Sequence, residues 1–174
     1  MRNITFRDGV IGDDLGSSPW AIKIKTDSQE GGVVDGVYFR NVRIGNITYC
    51  GSSRFVFTPP HSAKDHCDPA RPSGATMLGI GMGYASLAVT DPGTVTNIVF
   101  DGIYGVGPTG SSFSARGLPN NATADRHIVN VTLRNFSLAT GGPFQCDLVD
   151  GLTVQQVGRW PSGSTCKKKP GGGK

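Results

Sequence analysis

DGVYFRN, residues 35–41, reads as a turn-forming pair, an apolar–polar–apolar alternation and a polar close. Val37 and Phe39 are two apart, so in a strand they share one side while Tyr38 and Arg40 take the other. The same template returns as RNITFRD from Arg2, TNIVFDG from Thr96, VNVTLRN from Val129 and DGLTVQQ from Asp150. Aligned at Asn3, Gly36, Asn97, Asn130 and Gly151, the five segments are spaced 33, 61, 33 and 21 residues apart. Their inward pairs, such as Ile4 with Phe6 and Val131 with Leu133, cannot bury themselves within one unit, so neighbouring units must stack. The spacing of 61 leaves room for two turns of a coil with an insertion.

Helical repeats and a regular leucine pattern are both missing from these units. Strand-only units of about 20 to 35 residues with Gly, Asn and Asp corners predict an all-β fold, a parallel β-helix. Composition agrees: 26 Gly and 11 Pro against 17% charged residues suit many tight corners, and no segment has the pattern of an amphipathic helix. The 174 residues make one domain or part of one. Residues 1–160 are expected to be rungs and end cap, and 161–174 a flexible basic tail.

The net charge of +4 lies in that tail, where KKKPGGGK holds Lys167, Lys168, Lys169 and Lys174. The other 13 Lys and Arg balance 13 Asp and Glu, so the body is neutral and carries no signature of nucleic-acid binding. No run is apolar and long enough for a membrane helix, and nothing implies a metal or cofactor. Cys50, Cys67, Cys146 and Cys166 allow three pairings; local bridges Cys50–Cys67 and Cys146–Cys166 are favoured over four thiols in a cytosolic protein. Asn-x-Ser/Thr sequons at Asn3, Asn46, Asn121, Asn130 and Asn135 agree with a secreted, extracellular or cell-wall protein. Yet MRNITFRDG opens on a strand with no signal peptide, so the expectation is a chain missing its front end. An uncovered first rung, with Ile4 and Phe6 open, predicts self-association.

WAIKIKTDSQEGGVVDGVYFRNVRI, residues 20–44, carries the chemistry. Lys23 and Lys25 fall on one face of a strand with Ile22 and Ile24 on the other, and two ammonium groups side by side favour an anion. IKIKT, a Gly-Gly corner and a following strand resemble the Arg-Ile-Lys region of polygalacturonases (glycoside hydrolase family 28, right-handed parallel β-helix pectinases). The tail from Gly117, with Gly-Leu-Pro and two cysteines bracketing the end, is similar to the closing part of plant-type members. The resemblance implies a right-handed, pectin-lyase-like solenoid that hydrolyses galacturonan glycosidic bonds with inversion. Its partner would be a polyanionic polysaccharide, and the second disulfide would clamp the end cap. Lys23 stands where the family has Arg and Lys25 where it has Lys, and both would bind the galacturonate carboxylate. Lys grips a carboxylate as a point charge where Arg offers a planar fork, so orientation would be looser.

Inverting hydrolysis needs an acid and a base about 6.5–9.5 Å apart. The family supplies them from Asn-Thr-Asp and Asp-Asp motifs with a Gly-His-Gly, and this sequence has no Asn-Thr-Asp and no Gly-His-Gly. Asp13 and Asp14 form an Asp-Asp, but too close before Lys23 for the intervening rungs. They read as a β-helix corner, where Asp supplies turn hydrogen bonds. Three readings remain: a polygalacturonase fragment lacking its catalytic carboxylates, a carbohydrate-binding or adhesion β-helix without catalysis, or a structural fragment that does not fold alone.

Overall fold

A computed structural model describes residues 1–11, 20–26, 31–45, 76–82, 93–106, 110–118, 126–139, 141–157 and 162–166. These hold ten strands: β1 (Arg2–Ile11), β2 (Trp20–Thr26), β3 (Val33–Ile44), β4 (Thr76–Met82), β5 (Thr94–Gly105), β6 (Phe113–Arg116), β7 (Ile128–Leu138), β8 (Phe144–Asp147), β9 (Val149–Asp150) and β10 (Thr153–Val157). No helix occurs among the described residues. A wide sheet runs β1-β3-β5-β7-β10, with β9 also against β7, and a narrow sheet runs β2-β4-β6-β8. Every pairing between these strands is parallel. From β1 to β8 the chain alternates between the two sheets, so the return path that a parallel pair requires is itself a strand of the other sheet.

The register follows the five aligned segments. Ile4 pairs with Val37, Val37 with Ile98, Ile98 with Val131, and Leu133 with Val154. The 61-residue spacing is therefore a single step within the wide sheet: β3 lies directly against β5, and no second turn intervenes between them.

Corners are built by residues in the left-handed region. Asn3, Gly36, Asn97, Asn130 and Gly151 have φ of 51°, 67°, 56°, 56° and 72°. Five residues further on, Asp8, Asn41, Gly102, Asn135 and Gln156 repeat it at 55°, 52°, 69°, 51° and 50°. A side chain with a Cβ costs about 1–2 kcal/mol there, least for Asn and Asp, which explains the composition of both rows. Corner side chains tie neighbouring strands together. Asn41 Nδ2 donates to Asp8 Oδ1 (2.7 Å), Asn130 Nδ2 to Asn97 Oδ1 (3.1 Å) and Asn135 Nδ2 to Asp101 Oδ1 (2.7 Å).

Between the corners each strand sends two side chains into the space between the sheets. Phe100, Phe113, Phe144, Leu78, Ile98 and Ile128 are fully buried there. Phe6, Phe39 and Phe100 stack along the wide sheet at 5.0 and 5.3 Å between centroids. The contact then crosses to the narrow sheet edge-on, Phe100 to Phe113 at 6.3 Å and Phe113 to Phe144 at 6.1 Å. Such ring pairs add about 0.5–1.5 kcal/mol each beyond their area. Phe6 has the inward geometry but stays 49% exposed, against 9% for Phe39, because β1 is paired on one side only.

At the other end, residues 162–166 lie along β8, although the sequence reading places them in a flexible tail. Thr165 N donates to Phe144 O (2.9 Å), and Ser164 Oγ and Thr165 Oγ1 accept from Phe144 N and Cys146 N (both 3.0 Å). Cys146 is bonded to Cys166, with Cα atoms 4.6 Å apart. Cys50 and Cys67 lie outside the described residues.

Candidate functional site

β2 is a short alternating strand, and its sequence dictates its faces. Ile22, Ile24 and Thr26 are buried, and Lys23 and Lys25 are exposed on the outer face of the narrow sheet. The alternation of faces expected from the sequence is present at each of these residues.

Register shows what the lysines look out upon. One outward row runs Lys23, Gly79, Ser114, Gln145, and the next runs Lys25, Gly81, Arg116, Asp147. Trp20 lies over the first glycine: a Cβ on Gly79 would come within 2.3 Å of its ring. Lys23 Nζ sits over the same ring, 4.4 Å from its centroid, an arrangement that orients the ammonium electrostatically. Gly81 is different, because nothing lies within 4 Å of a Cβ added there. Lys25 and Arg116 thus flank an open notch, their Cα atoms two strand spacings or roughly 10 Å apart.

Three cations share this face. The pKa of Lys23 is lowered from 10.5, first by its partial burial and then by repulsion from Lys25. A carboxylate seated between these groups would relieve the repulsion and raise that pKa again. Arg116, absent from the sequence reading, adds a planar fork beside the two point charges of the lysines. No sequence signal ties it to β2, since it lies 91 residues beyond Lys25 (116 − 25) and is aligned with it only through Gly81.

Among the described residues, Asp147 is the carboxylate on these two rows. Asp13 and Asp14 lie outside the described residues, as do Asn46 and Asn121. Asn3, Asn130 and Asn135 are corner residues of the wide sheet, and the Nδ2 atoms of Asn130 and Asn135, where a glycan would attach, each donate a hydrogen bond to the neighbouring strand. No group of three or more His, Cys, Asp or Glu suited to a metal ion occurs among the described residues.

No protein-family model, no curated protein and no solved structure matches the chain.

Proposed function

We propose that the chain is part of a right-handed parallel β-helix of pectinase type whose narrow sheet binds polyuronate through Lys23, Lys25 and Arg116. One observation carries the reading: three cations on one outward face around the open Gly81 notch, with Trp20 holding Lys23 in place. The alternation of strands between two parallel sheets supports the solenoid, and right-handed crossover is the strong preference of parallel strand connections. The Cys146–Cys166 bond supports an oxidising, extracellular setting.

Binding is the better-supported half of the function. A hydrolase of this type needs two carboxylates, and the described part of this face offers Asp147. Calorimetric titration with oligogalacturonate tests the reading. Lys25→Ala and Arg116→Ala should each weaken binding at least fivefold. Gly81→Val should do the same by filling the notch, with the unfolding midpoint unchanged because its side chain meets open space. Retained affinity in all three variants would defeat it. Hydrolysis is the second reading, and it would be established by release of reducing ends from polygalacturonate that Asp13→Asn or Asp14→Asn abolishes.

A further inference from the structure

The run KKKPGGGK, residues 167–174, holds four lysines and no acidic residue, and the cation face of the narrow sheet leaves it unused. Its starting point is fixed by the fold. Ser164 Oγ and Thr165 Oγ1 accept from Phe144 N and Cys146 N on β8, both at 3.0 Å. Cys166 is buried and bonded to Cys146, their Cα atoms 4.6 Å apart. Lys167 follows Cys166 directly in the sequence, so the lysine run departs from a point pinned to β8.

β8 is also a strand of the cation face. Gln145 and Asp147, on either side of Cys146, end the outward rows that begin at Lys23 and Lys25. A polyuronate crossing from Lys25 over Gly81 to Arg116 meets Asp147 next, where like charges repel. Three residues of chain span at most about 10 Å. Asp147 adjoins Cys146 and lies one strand spacing, about 4.8 Å, from Arg116. Lys167, Lys168 and Lys169 are therefore tethered within reach of the carboxylate that interrupts the face.

We propose that this lysine run completes the cation face, which then takes an extended polyanionic polysaccharide, a polyuronate running from Lys25 and Arg116 past β8, in preference to a short oligomer. The inference rests on the polyuronate reading of the narrow sheet. An exposed Lys–Asp pair contributes only about 0–1 kcal/mol, so the run does little for the fold. Its effect is on the ligand. Once one stretch of polymer sits on the sheet, the lysines meet the next stretch at an effective concentration set by the short distance to Cys166. The reach of the run is about one Debye length at 0.1 M salt, roughly 10 Å, so its field adds to that of Arg116.

The test is calorimetric titration of the full 174-residue chain with trigalacturonate and with long polygalacturonate. Lys167→Gln, Lys168→Gln and Lys169→Gln together should weaken polymer binding at least fivefold and leave the trimer within twofold of the parent. Reordering residues 167–174 to PGGGKKKK keeps every charge but sets the run four residues further from Cys166. Its polymer affinity should fall between those of the parent and the triple variant. Both changes lie beyond the last hydrogen bond to β8, and unaltered unfolding midpoints show that the fold is kept. If the triple variant binds polymer as the parent does while the trimer still binds, this proposal is overturned and the sheet site stands. If neither ligand binds the parent, the sheet site falls with it. The proposal is also overturned if Arg116→Ala leaves polymer affinity unchanged, because the run then binds alone. Equally tight binding of single-stranded DNA overturns it too, because charge alone is then being read.

Discussion

Asn130 shows how much a single corner residue carries. Its φ of 56° and its donation to Asn97 serve the fold, whatever else its sequon does. Asn130→Gly keeps the backbone conformation, which Gly36 and Gly151 adopt at the same register position, and should cost only the hydrogen bond, about 0.5–1.5 kcal/mol in chemical unfolding. Asn130→Val should cost about 1–2 kcal/mol, the penalty of the left-handed region for a β-branched residue. Carboxylates at this scale also give a pH signature. Burial alone would raise Asp101, but hydrogen bonds from Arg134 and Asn135 hold it below its ordinary value; those from Asn97 and Thr96 do the same for Asp35. A depressed folded pKa stabilises above the unfolded value near 3.9 and is lost as pH falls through the folded one. Denaturant midpoints should therefore fall below about pH 4, and Asp101→Asn should flatten that decline. The first corner row was legible because Asn3, Gly36, Asn97, Asn130 and Gly151 begin each repeat. The second was read only as a polar close, because Asp8, Gln156 and their partners share backbone conformation rather than residue type.

Strands of the wide sheet announce themselves by alternation; in the narrow sheet β2 does so too, and the other three are too short to. TMLGIGM in β4, FSAR in β6 and FQCD in β8 are short, and in β4 glycine holds both places, Gly79 and Gly81, where polar residues would mark the outer face. The lysines were thus visible on β2, while their neighbours Gly81 and Arg116 emerge only when three strands are set in register. Packing makes the two sheets interdependent. Phe100 bridges them, and Phe100→Ala should cost about 3–5 kcal/mol, measurable as a lowered unfolding midpoint. Residues 162–166 are held differently. Cys146 and Cys166 close a loop of 20 residues, so Cys166→Ser should remove about 3 kcal/mol by the loop-entropy relation, measurable as a lowered unfolding midpoint. The uronate binding proposed for the narrow sheet should weaken at alkaline pH as Lys23 deprotonates, earlier than an ordinary lysine would.

At the scale of the molecule, β1 presents an edge with Phe6 and Val10 exposed, a template for another chain. Twofold pairing of β1 with itself meets a parity conflict. Keeping Ile4 and Phe6 inward requires partner numbers with an even sum, whereas matching the corners at Asn3 and Asp8 requires a sum of 11. Pairing is thereby confined to the four residues between corners. Sedimentation should show weak, concentration-dependent association that Phe6→Lys suppresses. The same corner arithmetic has a counterpart in what can be cut out. Excising residues 97–129 joins Thr96 directly to Asn130, the residue one full period later, so the chain resumes in phase with β7 facing β3. That 33-residue excision should yield a shorter protein with the same strand-dominated circular dichroism and a lower melting temperature. Excising one residue fewer would turn every later side chain to the wrong face, and no cooperative unfolding should remain.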